Sequence, residues 1–398
     1  MRTIGLVSAT LNNYGSLLQT FALQKKVNES GNRTEIVKYK EPIYSKLKRM
    51  LYGEYLKVTV KKVLLNKMIV IRHKGMKDNL EIRNGAFEQF RKRYLKFSEA
   101  CRNRRQLTSL SSHYRLVMLG SDQLWQPMNL LMDFFTLTFV PDAVPKEAYA
   151  ASFGVSEIPK RMEPAYKAYL NRFDNISCRE QSGADLVKKL TGRSVPVVCD
   201  PTLLMTAEEW MPVLSDKVKP NGKYIFCYFL GNNPQHRDFV KGLKRTCGYS
   251  IVALPHIVEY VDSDETYADS LPYGVGPSEF LYLLKNAEFV CTDSFHATVF
   301  SLQFHKQFFV FDRFENGKGR STTSRIETLL NIAGCPQRLI RDTRKAAENL
   351  KAPEEKSVFL RRRKNCSRRR YSAEEPSPVR MARNMDFGPM LSVPKVGR

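Results

Sequence analysis

The sequence predicts an α/β fold built as two successive domains, each with a parallel sheet. Three observations carry this expectation. Short apolar runs recur along the chain, each stopping at a Thr, Ser, Asp or Gly turn and passing into a helical pattern. The series is interrupted between Glu208 and about Gly222, where Pro212, Pro220 and Gly222 break any regular element, and then begins again. The length of 398 residues suits two domains of ordinary size, and 42% hydrophobic with 11% aromatic residues can fill their cores. The expected domains are 1–215 and 216–355, followed by a basic tail over 356–398.

In the first domain, residues 3–9 read as a strand and Asn12-Asn13-Tyr14-Gly15 as a turn. Ser16 then caps a helix running to about Glu29, with Leu17, Leu18, Phe21, Ala22 and Leu23 as its apolar positions. Gly31 ends the helix and residues 35–39 form a second strand. This βαβ opening lacks the GxGxxG fingerprint of a dinucleotide loop. Residues 43–100 read as helical, part of a basic helical elaboration spanning about 40–115, with Leu47, Leu51, Leu56, Val60, Val63 and Leu64 on one face and Phe87, Phe90, Tyr94 and Phe97 on another. Strands follow at 114–119, 148–154 (with its turn), 176–178 and 195–199, with a helix over 182–190. In the second domain, strands are expected at 223–230, 250–254, 288–292 and 307–311. Helices are expected near 234–246, 277–286, 296–304 and 322–333, the last ended by Gly334.

Composition excludes several function classes. No apolar run reaches the length of a membrane span, and the apolar stretch at the N-terminus is too short for a signal sequence, so a cytoplasmic protein is expected. The eight cysteines show no C-x-x-C spacing and several sit in apolar strands, as small hydrophobes of a reducing compartment do. Neither a disulfide framework nor a metal site is expected. The net charge of +24 is concentrated: residues 40–115 carry twenty Lys and Arg against six Asp and Glu, and residues 361–398 carry eleven against three. Such segments could hold nucleic acid or an acidic membrane surface, or be merely solvated. No zinc finger, RNP-type motif or helix-turn-helix accompanies them, so nucleic acid is not the expected partner. Dense like charge without periodicity makes the tail a disordered segment, which fits peripheral contact with an anionic membrane, such as its inner face.

The stretch from Glu288 to Phe300 is the most informative. An apolar strand stops at Thr292-Asp293-Ser294 and a helix begins with His296 in its first turn. In open α/β sheets the carboxyl ends of strands are where ligands bind, and a helix N-terminus there favours an anion. A capped helix with a half-buried histidine is the plain alternative. Gly120-Ser121-Asp122-Gln123-Leu124-Trp125 is a second polar cluster at a strand's carboxyl end. Asp122 in it is either a turn cap or a functional carboxylate. Trp125 is either a sugar-stacking ring or an ordinary half-buried aromatic. Arg179 can offer a bidentate fork to an anion, or pair on the surface with Glu180 or Asp185. Asp200 reads as a cap or turn residue. His236, at another helix start, has a weaker claim on a ligand.

Six segments taken together resemble the polysaccharide pyruvyl transferase family. They are Asn13-Tyr14-Gly15-Ser16-Leu17-Leu18-Gln19, Gly120-Ser121-Asp122-Gln123-Leu124-Trp125, Ala148-Tyr149-Ala150-Ala151-Ser152-Phe153-Gly154, Cys178-Arg179-Glu180, Cys199-Asp200-Pro201-Thr202-Leu203-Leu204 and Thr292-Asp293-Ser294-Phe295-His296-Ala297, in family order. The resemblance implies a GT-B-like fold of two Rossmann-type domains facing a cleft. It implies transfer of the pyruvyl group of phosphoenolpyruvate to a sugar of a surface or exopolysaccharide, or its precursor, as a ketal, with release of phosphate and no cofactor. The partners it implies are phosphoenolpyruvate and a glycan or lipid-linked sugar acceptor. On this reading Arg179, Ser294 and His296 meet the donor, with Arg179 and His296 sharing one anion across the cleft. His296 and Asp122 are then catalytic, as proton donor or phosphate stabiliser and as hydroxyl base, and Asn13, Tyr14, Gly15 and Trp125 meet the acceptor. Relatives often carry arginine where this chain has Ser294, so one donor-binding charge is absent from that position. A nucleotide-sugar glycosyltransferase and a basic nucleic-acid-binding protein are the alternatives from other function classes.

Overall fold

The computed structural model describes residues 3–42, 75–130, 133–256, 261–313 and 320–349. The expected tail over 356–398 and the apolar face from Leu47 to Leu64 lie outside the described residues. The chain divides into two units: described residues up to 42 and from 91 to 205 belong to the first, and those from 75 to 90 and from 206 to 349 to the second.

The first unit is a six-stranded sheet in the order β3-β2-β1-β4-β5-β6. Its strands are β1 (Ile4–Val7), β2 (Thr34–Tyr39), β3 (Phe97–Cys101), β4 (Leu116–Leu119), β5 (Lys146–Ala151) and β6 (Asn175–Cys178). Every neighbouring pair is parallel. Parallel strands need crossovers, and helices cover the sheet, so both faces are dry and strands such as β1, β4 and β5 are buried throughout. The chain runs outward from β1 to β2 and β3, then resumes at β4 on the other side of β1. The order therefore reverses between β1 and β4, and their carboxyl ends form a topological switch point. The helix Tyr14–Glu29 starts there, after β1, and the Gly120–Gln123 turn lies there, after β4.

The second unit is a five-stranded sheet in the order β11-β10-β9-β7-β8, again all parallel. Its strands are β7 (Tyr224–Tyr228), β8 (Ser250–Ala253), β9 (Phe289–Thr292), β10 (Gln307–Phe311) and β11 (Leu339–Ile340). Here the order reverses between β7 and β9. Helices Pro234–Cys247, Pro277–Asn286 and Phe295–Gln303 supply the crossovers. The helix Met76–Tyr94 contributes to this unit through Arg83, whose buried guanidinium donates to the carbonyls of Pro255 (3.2 Å) and His256 (3.3 Å). Among the described residues no helix is long and apolar enough to cross a membrane.

Three sequence expectations are corrected. Phe97–Cys101 is strand β3, not the end of a helical run: the helix stops at Tyr94, and the next residues pair with β2 as an edge strand whose outer positions Glu99 and Ala100 are exposed. Residues 195–199 form no ladder strand. Only Val197 bridges β6, opposite Cys178, since Pro196 has no N–H to extend the pairing. A helix forms at Glu163–Leu170, where no element was predicted.

Candidate active site

The switch point of the first unit brings together two residues 106 apart in sequence. Ser16, in the first turn of its helix, donates its hydroxyl to Asp122 Oδ2. Asn13 makes that turn possible: its Oδ1 accepts from the Ser16 N–H at 3.1 Å as the helix N-cap. Asp122 holds a left-handed backbone conformation, φ +88°, which a non-glycine residue adopts at a cost and which is common near functional groups. Its carbonyl accepts from Ser152 N–H (3.1 Å) and Leu124 N–H (2.7 Å), and its Oδ1 accepts from Gln123 N–H at 2.8 Å. The carboxylate is thus aimed by backbone and side chain, and it remains half-buried.

Behind it sits Arg179, directly after β6, with its side chain only 2% exposed. Nη1 donates to Asp200 at 2.7 Å, Nε lies 3.9 Å from Glu180, and Nη2 lies 4.0 Å from Asp122. Burial disfavours the guanidinium's charge, and the carboxylates of Asp200, Glu180 and Asp122 more than offset it, so Arg179 holds its proton more tightly than usual. Asp200 is saturated: it also accepts from Ser121 (3.2 Å) and from the Thr202 N–H (3.0 Å) and hydroxyl (2.7 Å). Glu180 accepts from Ser152 Oγ (2.8 Å) and Phe153 N–H (3.2 Å), tying the ends of β5 and β6 together. Gly154 closes this turn at φ +64°. That left-handed conformation strains any residue with a side chain, and a Cβ there would also displace the amide ends of Gln126 and Gln123.

In the second unit, the switch between β7 and β9 is spanned by Asp293, 1% exposed. Its two carboxylate oxygens accept from the backbone N–H groups of Leu230 (2.7 Å) and Gly231 (2.8 Å) in the turn after β7. Thr292 crosses the same gap, donating to the Tyr228 carbonyl. Ser294 is the N-cap of the helix Phe295–Gln303, accepting from Ala297 N–H at 3.5 Å. This fixes His296 in the first turn, 9% exposed, with its ring edge-on to Phe295 at 5.2 Å between centroids.

The structure brings Asp122 and Arg179 into one cluster and places Asn13 beside it as the cap that orients Ser16. Three residues expected at the acceptor are buried. Trp125 is 2% exposed and packs among Phe153, Tyr169 and Phe173, with its indole N–H donated to the Phe135 carbonyl at 3.1 Å. Tyr14 is fully buried, and Gly15 is buried with it. Both rings face the core, the side that a one-dimensional reading of a turn cannot assign. His236 is likewise a core residue between Phe229 and Phe311, and burial lowers its pKa to about 4. Sequence reading missed Asp200 as the counter-ion of Arg179 and Ser16 as the partner of Asp122. It read Ser16 as a helix cap and Asp200 as a cap or turn residue, and strand order was needed to pair them. Among the described residues no group of His, Cys, Asp and Glu could hold a metal ion.

Comparison with known proteins gives the family. No curated protein matches the chain. Among solved structures, a candidate UDP-N-acetylglucosamine 2-epimerase from Listeria monocytogenes is similar with a TM-score of 0.52 and 12% identity, over 96% of this chain and 94% of its own. MnaA of S. aureus, solved with UDP, is similar with a TM-score of 0.49 and 14% identity, over 90% of each chain. At such identity the first of these likenesses shows the fold alone, which is of the GT-B type. The model of the family described as polysaccharide pyruvyl transferase matches residues 13–315, a span that takes in Ser16, Asp122, Arg179, Asp200, Asp293 and His296. The chain belongs to the polysaccharide pyruvyl transferase family.

Proposed function

We propose that the enzyme transfers the pyruvyl group of phosphoenolpyruvate to two hydroxyls of a sugar, in a surface polysaccharide, an exopolysaccharide or a lipid-linked precursor, as a ketal. The observation that carries this reading is the family match over residues 13–315, which includes Asp122, Arg179 and His296 together. In the first step a proton is added at C3 of the enol and a sugar hydroxyl oxygen bonds to C2, giving up its own proton. In the second, the C2–O bond to phosphate breaks with its electron pair going to phosphate, another hydroxyl oxygen bonds to C2, and the proton that this hydroxyl gives up leaves with the phosphate.

His296, in the first turn of a helix, is suited to deliver the C3 proton or to stabilise the leaving phosphate. Asp122 is suited to take the hydroxyl proton. Its carboxylate is held by Ser16 and Gln123 and is the part-exposed member of its cluster. Arg179 meets the donor through the Nη2 edge that lies toward Asp122. Its other contacts, Asp200 and Glu180, are permanent counter-ions. The test is phosphate release from phosphoenolpyruvate across a panel of glycan and lipid-linked acceptors. Release that depends on an acceptor supports the reading. Turnover of a nucleotide sugar with none of phosphoenolpyruvate would overturn it.

A further inference from the structure

The residues that position His296 bring little positive charge to it. Ser294 caps the helix and is neutral, and the Asp293 carboxylate is occupied by two backbone N–H groups. A helix N-terminus counts for about half a positive charge, too little alone for a donor with a phosphate and a carboxylate. Two guanidinium groups lie at this turn. Arg325 is buried, its guanidinium 5.7 Å from the centroid of the Phe295 ring. Arg313 comes from the carboxyl end of β10. Parallel register pairs Val310 with Thr292, which brings the residues after β10 alongside Asp293 and Ser294. Arg313 Nη2 donates to the Asp293 carbonyl at 3.1 Å and Nε lies 3.7 Å from its carboxylate. These contacts hold one edge of the guanidinium, while Nη1 takes no partner among the described residues and the side chain is 23% exposed. Gly231 leaves the room for it, since a Cβ there would fall 2.8 Å from Arg313 Cγ and 3.0 Å from Asp293 Oδ2.

We propose that Arg313 is a donor-binding residue, offering its Nη1 edge to an anionic oxygen of the donor beside His296. The inference rests on the reading of this turn as the phosphoenolpyruvate site. Asp293 would then have two tasks, joining the turns after β7 and β9 and fixing the orientation of the arginine. Arg325, packed on Phe295, adds positive potential to the same turn.

The experiment is calorimetric titration of the full chain with phosphoenolpyruvate, together with steady-state phosphate release. A hydrogen bond to a charged group contributes about 1.5–3 kcal/mol, so Arg313→Ala should weaken binding roughly 10- to 100-fold and raise KM in step, with kcat changed less. Arg313→Lys keeps a charge near Asp293 but loses the planar fork, and should fall between wild type and Ala. It also decides the matter if the Ala variant does not fold. Inorganic phosphate as inhibitor locates the contact: parallel weakening assigns it to the donor's phosphate, unchanged inhibition to its carboxylate. Wild-type affinity in the folded Ala variant, or in the Lys variant where Ala does not fold, overturns the proposal. Absence of phosphoenolpyruvate binding by the wild type overturns the donor reading itself, and the proposal with it.

Discussion

Replacement of Asp200 tests whether the Arg179 cluster holds the first unit together. Asp200 is fully buried and Arg179 is 2% exposed, so neither charge can turn to water when the other is removed. Breaking a buried ion pair from one side costs about 3–5 kcal/mol, because the remaining charge is left uncompensated. Here Glu180 at 3.9 Å and Asp122 at 4.0 Å still face the guanidinium and soften that cost. Loss of the Asp200 cap on Thr202 adds about 1 kcal/mol. Asp200→Ala should therefore destabilise the first unit by about 3–4 kcal/mol. Asp200→Asn keeps an oxygen for Thr202 and gives up the charge-assisted bond to Arg179, for a loss of about 1.5–3 kcal/mol. A chain of two units need not unfold in one step, so the probe must belong to the right one. The only two tryptophans serve: Trp125 lies in the first unit and Trp210 in the second. In a Trp210→Phe background, urea unfolding followed by Trp125 fluorescence reports the first unit alone. A loss below about 1 kcal/mol in Asp200→Ala, the range of a solvated surface pair, would refute the buried-network account.

Two further outcomes follow from the same geometry. His296→Gln keeps a hydrogen-bonding group but no transferable proton, so kcat should fall by roughly two to four powers of ten with far less change in donor affinity. Lost affinity with an unchanged maximal rate would make it a phosphate clamp instead, and no change in either would leave it a capped-helix histidine. His236 is held neutral by burial, with its pKa lowered to about 4. An unfolded histidine binds a proton from about pH 6.5 downward, so the second unit's stability should be full above that pH and decline as pH falls toward 4, by on the order of 3 kcal/mol at most. His236→Phe, which keeps the aromatic packing against Phe229 and Phe311, should flatten that part of the curve in urea midpoints measured from pH 7 to 4. An equal slope in both proteins would show that other groups carry the acid sensitivity.

Much of the fold was legible in the chain because parallel strands buried on both faces must be short apolar runs, as in Tyr224–Tyr228 and Phe289–Thr292. Caps are local, and Ser294, which bonds the N–H of Ala297 three residues on, was legible as one. The first helix is capped not by Ser16, as its sequence suggested, but by Asn13, which bonds the Ser16 N–H and starts the helix at Tyr14. Edge elements were not legible. Phe97–Cys101 carries a polar, half-exposed pattern that does not distinguish a strand from the end of a helix, and its pairing with β2 decides the matter. The chain also shows that Asp122, Arg179, Asp293 and His296 lie at strand ends, because each follows an apolar run. Strand order alone determines which of those ends meet. The reversal between β1 and β4 sets Ser16 against Asp122, and the reversal between β7 and β9 sets Asp293 against Gly231. Facing is decided at the same level. Trp125 and Tyr14 occupy turns where sequence permits either side, and the packing of the core takes both rings inward. Local chemistry is written within a few residues and can be read there. Asp200 meets Arg179 and Arg313 meets Asp293 across about twenty residues of chain, so those contacts exist only once the sheets are built.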